Sequence, residues 1–459
     1  MAPELFFHLA VIIGAIVTIP IARLRYGTWL TTGLLYSFGW CMCLILYHYV
    51  ALVSPDGGFD ISDSSFEFAS KIVIGGYLGV ILGHLFFGPP RVHYGKVYHE
   101  FSHLGLFLDR YYLWICGLIF SFGFLAFVER FSQVGFSIYV LQELRELHTE
   151  TRFSFFQRFG VLGSIILSTF VMLSAVDDSM KGRVNTRRII AIIIALMPLA
   201  LSKASRQEFM NPIIQYSLAT FVVMQMRVLA GMSINRSLLF KMYAKFLPAL
   251  LALFLLFTVY GQLRTVGSKQ QGGRFDMFSL LKAPMEVTAS VASWFTSSLY
   301  SVGPITEFED KTFPRLYGRM VFEPVYKIPE KLRLIPETSV LIYLARQDSF
   351  NHFNNGSIAF TPGTMGKVLT REVGRNWAPV AAVFVMLLMT ALANRVPRDS
   401  ILKLVFVVSC ISQPLLSFQS LQGFNMIFTW RMFFAFLLGY MYLRFRRRFG
   451  GSSVGPVGP

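Results

Sequence analysis

The chain has 459 residues, of which 54% are hydrophobic and only 15% are charged. A soluble domain carries about 25% charged residues, so an ordinary water-soluble globule is excluded. The formal net charge of +17 invites a nucleic-acid reading, but the distribution of the basic residues argues for membrane topology.

A hydrocarbon core roughly 30 Å thick needs about 20 apolar residues per helix. In chain order, such runs predict eleven spans, near 4–22, 28–53, 70–89, 111–129, 159–178, 187–202, 207–226, 246–263, 377–394, 400–417 and 424–443. The first follows Met1-Ala-Pro-Glu4 with no basic stretch before it and no small-residue cleavage site, and reads as a retained helix. Cys41, Cys43, Cys116 and Cys410 all fall inside spans and read as small core residues, not as a disulfide framework or zinc site. No internal repeat is visible. Four regions result: 1–263 with eight spans, a loop 264–376, 377–449 with three spans, and a flexible tail 450–459.

With the N-terminus outside, Lys and Arg number 20 in the inside segments and 6 in the short outside loops. This is the positive-inside bias, and it predicts N-out and C-in, in agreement with an odd number of spans. Basic runs such as Arg444 to Arg448 then sit on anionic headgroups. The expected fold is an all-α polytopic membrane protein with membrane lipids, not nucleic acid, as neighbours.

The loop 264–376 is the longest non-spanning segment and falls outside. It carries aromatics (Phe275, Trp294, Phe295, Tyr300, Tyr317, Tyr326, Tyr343), a helical pattern near 284–300, and a net charge of +4 from 14 basic and 10 acidic residues. A long loop with its own structure usually forms a lid or binding element. The P-loop, His-Glu-x-x-His, Cys-x-x-Cys and Gly-x-Ser-x-Gly motifs are missing, and no Asp-rich motif suggests bound magnesium or manganese. No cofactor is expected.

Basic residues at the outer face are the most informative class. Ser202-Lys-Ala-Ser-Arg206 forms a tight connection between two spans, setting Lys203 and Arg206 at membrane depth. Arg264 closes the eighth span, Arg274 follows it, and Arg431 lies in the outer half of the last span. The fork of arginine donors suits phosphate, and charges at membrane depth are rare unless used. Such residues would clamp a lipid-linked diphosphate; snorkelling to the headgroups is the plain alternative. Near the far end of the loop stands His352, the single histidine outside the first third of the chain, with Asn355 close by. A histidine in such polar company positions a hydroxyl or acts as a base, although a lone loop histidine is commonly a surface residue. Glu307, Glu309, Asp310, Glu323, Asp348 and Glu372 are the acidic candidates for a general base, and the sequence does not choose among them.

Three features resemble the Wzy-type O-antigen polymerases, or oligosaccharide repeat unit polymerases. They are the Ser202-Lys-Ala-Ser-Arg206 connection, the large late loop opened by Arg264 and Arg274, and the closing Thr361-Pro-Gly-Thr-Met-Gly366…Val373-Gly374 before a span. The early segment Val134-Gly-Phe-Ser-Ile-Tyr139…Arg145 fits as well. The resemblance covers most of the chain by layout, on short motifs. It implies a multi-pass protein of a bacterial inner membrane with a periplasmic active site. Donor and acceptor would both be undecaprenyl-diphosphate-linked oligosaccharide, transferred with inversion and without metal. Arg206 and Arg264 would stabilise the diphosphate, with Lys203, Arg274 and Arg431 assisting. His352 would orient or deprotonate the acceptor hydroxyl, Asn355 would contact the glycan, and Tyr317 would stack on a sugar. The resemblance also admits a chain-length regulator as partner. O-antigen ligases share the layout, but the 113-residue loop and the lack of a His-x-His-Asn run weaken that alternative. A lipid-linked sugar transporter or flippase and a non-catalytic scaffold remain as readings of other classes.

Overall fold

The computed structural model describes residues 2–53, 61–90, 94–134, 155–202, 207–232, 303–317, 323–336, 365–417 and 426–449, with 240, 319 and 341. Among them the regular structure is helical throughout, without a strand. The helices are α1 (Pro3–Tyr26), α2 (Thr32–Val53), α3 (Asp63–Phe86), α4 (Tyr94–Glu100), α5 (Leu104–Val134), α6 (Phe155–Lys181), α7 (Thr186–Ser202) and α8 (Gln207–Leu229). After a helical stretch over 303–312 come α9 (Glu323–Lys331), α10 (Met365–Val373), α11 (Ala378–Arg395), α12 (Ile401–Leu416) and α13 (Met426–Phe449).

Seven helices among the described residues are long and apolar enough to cross a membrane: α1, α2, α3, α5, α6, α8 and α11. They coincide with seven of the expected spans. The helices α7, α12 and α13 overlie three more, while the expected span 246–263 lies outside the described residues. At 17 residues, α7 reaches only about 25 Å at ~1.5 Å per residue. By contrast, α5 extends over 31 residues, well past the expected 111–129. The apolar run stops at Asp109 and Arg110, but helical hydrogen bonding continues through them. The four cysteines are free thiols, three of them buried.

By its contacts the chain forms two units. Unit 1 holds 1–91, 288–397 and 409–429; unit 2 holds 92–287, 398–408 and 430–459. In unit 1, α3 packs between α1 and α11. Helices in lipid gain little from hydrophobic burial and associate by close packing, which small residues permit. Gly75, Gly79 and Gly83 lie four residues apart on one face of α3. A Cβ at Gly75 or Gly79 would strike the carbonyl oxygen of Pro379 or Val383, and one at Gly83 would press on Thr390 at 2.7 Å. On other faces Gly76 receives the Tyr36 hydroxyl and, from α1, Gly14 receives the Tyr77 ring. Around this seam Phe7, Tyr36, Trp40, Phe66, Ile72 and Tyr77 form the core. Its polar tips are satisfied: Trp40 Nε1 donates to Ser417 Oγ (3.1 Å) and Tyr77 Oη to the Val11 carbonyl (3.2 Å).

Unit 1 has two distinct ends. At one, Tyr26 Oη donates to the Phe87 carbonyl, and Asn394 Nδ2 donates to Tyr26 Oη, each at 2.7 Å. There His84 Nε2 accepts the Gly33 N–H at 3.2 Å, which caps the start of α2 from a neighbouring helix. At the other end Tyr47 Oη donates to Glu4 Oε1 (3.2 Å), the Gly303 N–H to Ser65 Oγ (2.9 Å), and the Met365 N–H to the Ser417 carbonyl (2.9 Å).

Unit 2 joins α5, α6, α7 and α8. Arg188 on α7 is 1% exposed, although the sequence counts it among interfacial charges. Its Nη1 donates to Asp177 Oδ2 (2.9 Å), Nε to Asp109 Oδ1 (2.8 Å) and Nη2 to the Gly105 carbonyl (3.0 Å). Lys181 also pairs with Asp177 at 2.6 Å. Asp178 accepts from Tyr216 Oη (2.9 Å) and the Asn185 N–H (3.1 Å). These bonds tie four helices together at one end.

The glycine seam gives a paired test. Gly79→Ala should destabilise the protein by about 1–3 kcal/mol, because backbone must move to admit the methyl. Gly117→Ala, with nothing within 4 Å of its Cβ position, should be neutral or stabilise by up to ~1 kcal/mol through helix propensity. Thermal unfolding in detergent, followed by fluorescence, measures both.

Candidate functional site

The densest polar constellation outside the helix cores of unit 1 is built where the late loop rejoins the bundle. The short helix α10 cannot span a membrane, and nearly all of its length is buried. It presents Arg371 to Glu309 of the 303–312 helix. Arg371 Nε donates to Glu309 Oε2 at 2.8 Å and Nη2 to Glu309 Oε1 at 2.5 Å. The two side chains are 4% and 1% exposed. A bidentate guanidinium–carboxylate pair satisfies both charges, which burial without a partner would not allow.

A second set lies beside it. Asp310 Oδ1 accepts the Arg375 N–H (2.6 Å) and Arg315 Nη2 (2.8 Å). Arg375 also approaches Glu307 at 3.4 Å and covers the Phe68 ring at 5.3 Å. Gly374 between them has φ +94°, a conformation that favours glycine, and a Cβ there would meet the Arg315 guanidinium at 3.1 Å. The glycine that ends the sequence motif before the eleventh helix is therefore required by the turn. The backbones run alongside one another too: the Leu316 N–H donates to the Arg371 carbonyl (2.9 Å) and the Tyr317 N–H to the Glu372 carbonyl (3.0 Å).

This geometry sorts the acidic candidates. A general base needs a lone pair aimed at the hydroxyl it deprotonates. Glu309 gives both oxygens to Arg371, and Asp310 anchors Arg315 and Arg375, so these two hold the architecture together. Glu372 is buried. Glu307 is the half-exposed member, with Lys311 at 3.9 Å and Arg375 at 3.4 Å. The side chains of Glu323 and Asp348 lie outside the described residues.

Of the eight expected site residues, Tyr317 and Arg431 are described. Tyr317 is 73% exposed and has φ 49°, unusual for a residue with a side chain. Its carbonyl accepts from Tyr326 Oη at 2.9 Å, so both backbone groups are tied while the ring faces outward. Arg431 is buried on α13, in unit 2. Lys203, Arg206, Arg264, Arg274, His352 and Asn355 lie outside the described residues. Lys203 to Arg206 occupy the four positions between α7 and α8, which pack together.

Sequence reasoning passed over Arg375, His84 and the Asp109–Asp177–Arg188 cluster as groups with partners. For the cluster a signal was available: Asp177-Asp178 closes an apolar run, and adjacent carboxylates at membrane depth are rare without partners. For Arg375 none existed, because its partners are more than sixty residues away in the chain.

Comparison with protein-family models, curated proteins and solved structures finds no match to the chain.

Breaking the buried pair from one side tests its role. Arg371→Ala should cost about 3–5 kcal/mol by leaving the Glu309 carboxylate buried and uncompensated. The double variant Glu309→Leu, Arg371→Met should recover most of that loss. Equal destabilisation of the single and double variants in a thermal-unfolding comparison would show that the pair is not what holds the two helices.

Proposed function

We propose that this protein is a membrane glycan polymerase acting on lipid-linked oligosaccharide repeats, as the resemblance to Wzy-type polymerases implies. The growing glycan is transferred from undecaprenyl diphosphate to the non-reducing end of a new lipid-linked repeat. The observation that carries this reading is the pairing of α7 with α8 around Lys203-Ala-Ser-Arg206. The Arg188 cluster stands near the start of α7, and Lys203 follows its last residue. The connection is therefore about 22 Å along the helix from that cluster, which supports opposite membrane faces for the two. The orientation expected from charge puts the α7–α8 connection on the periplasmic side in this reading.

The chemistry follows from the leaving group. Cleavage of a glycosyl–diphosphate bond develops negative charge on the phosphate oxygens. Guanidinium donors held toward that charge stabilise the transition state more than the ground state. Arg206 and Arg264 take this role, with Lys203, Arg274 and Arg431 adding positive potential. His352 orients or accepts the proton of the acceptor hydroxyl, which attacks the anomeric carbon from the opposite face. Asn355 contacts the glycan. The outward ring of Tyr317 suits stacking on a sugar face. The Glu309–Arg371 pair fixes the 303–312 helix to α10.

Reconstituted with lipid-linked repeats alone, the protein should make a ladder of products. Arg206→Ala and Arg264→Ala should each cut the rate by about 100-fold or more, with expression and thermal stability retained. A product seen only when a different acceptor is added points to a ligase. Full activity in both alanine variants refutes the mechanism.

A further inference from the structure

We propose that one end of unit 1 is a binding surface for the phosphate headgroup of an anionic glycerophospholipid, built by Arg23, Arg25, Arg395 and Trp29. The proposal rests on the membrane-spanning reading and is independent of the polymerase reading.

Three observations converge. First, Arg23, Arg25 and Arg395 form no ion pair among the described residues. Tyr26 gathers the Phe87 carbonyl and Asn394, so Arg25 and Arg395, the chain neighbours of Tyr26 and Asn394, stand at the same place. All three arginines are exposed. Among the described side chains every carboxylate of unit 1 (Glu4, Asp63, Glu67, Glu307, Glu309, Asp310, Glu330 and Glu372) belongs to elements of the other end.

Second, aromatic rings hold two of the guanidiniums. Arg23 lies 4.2 Å above the Trp29 ring and Arg395 lies 5.6 Å above Phe87. Both distances are within cation–π range, so each guanidinium is held against a ring face, and its fork of donors suits a phosphate better than the single ammonium of lysine. The C-terminal basic run differs: Arg446 is engaged by Glu100 at 2.6 Å and by His99 at 3.1 Å. The sequence makes that run the conspicuous headgroup site, yet one of its cations is already partnered, whereas Arg23 and Arg395 make ring contacts and no ion pair among the described residues.

Third, apolar surface adjoins the charges. Leu24, Leu85, Phe86 and Trp29 are 86%, 50%, 67% and 45% exposed. On membrane-spanning helices this apolar surface meets acyl chains, which sets the adjoining guanidiniums at headgroup depth.

Tryptophan quenching tests this in the full chain, reconstituted in phosphatidylcholine vesicles. Phosphatidylglycerol or phosphatidylcholine with brominated chains is titrated in, and the Trp29 contribution is taken by difference from Trp29→Phe. Quenching of Trp29 should favour the brominated phosphatidylglycerol, and each of Arg23→Gln, Arg25→Gln and Arg395→Gln should weaken the preference by about five-fold. Equal quenching by the two lipids in the unaltered protein overturns the proposal, and so does a preference that survives all three substitutions together. Inorganic phosphate at matched ionic strength should leave the preference intact; its abolition would identify a free-anion site and overturn the lipid assignment. If the triple variant does not fold, Arg23→Lys keeps the charge without the planar stack and should still lower the preference; no change there also counts against the surface.

Discussion

Lipid removes the driving force that assembles soluble helices, because a leucine facing a neighbour is no better off than one facing an acyl chain. What remains is how closely two backbones can approach. In unit 1 that approach is set by Gly75, Gly79 and Gly83 of α3, which lie against the α11 backbone at Pro379 and Val383 and its side chain at Thr390. The placement of α11 fixes Arg375 and the turn at Gly374, and through them the base of the late loop. Small residues in the membrane thus govern polar geometry at its edge.

Buried charge is the second organising element, and it is used alike in both units. Glu309–Arg371 joins a loop helix to α10, and Arg188 joins Asp109 and Asp177 across three helices. In each case a guanidinium offers several directed donors to acceptors on separate elements. Desolvation makes such a group costly when alone and specific when fully bonded. The pairs therefore select one arrangement of helices more than they add to stability. In unit 1, Leu316 and Tyr317 stand beside Arg371 and Glu372, joined through their backbones.

Much of the fold was legible because apolar runs report helices directly. Seven runs became helices long enough to cross, and the free, mostly buried cysteines agree with their reading as core residues. The ends of helices were read less well. Charged residues such as Asp63, Glu67, Asp109 and Arg110 continue a helix while interrupting an apolar run. The candidate site was legible as chemistry and not as geometry. Six acidic residues looked equivalent in the sequence, and the structure separates Glu309 and Asp310, bound to arginines, from the half-exposed Glu307.

By itself, then, the sequence determined long apolar helices suited to a membrane, a strong excess of basic residues, and a long stretch late in the chain with no apolar run. These are properties of local composition, and hydropathy acts residue by residue. Only the tertiary structure decided which charges are partners, which glycines are contacts, and which arginines remain open. Arg188, Arg371 and Arg395 are one residue type near helix ends, yet the first two are buried in bidentate or branched pairs and the third is exposed and lies over a ring. Their difference depends on partners such as Gly105 and Glu309, 83 and 62 residues away in the chain, brought near by helix packing that no local pattern encodes.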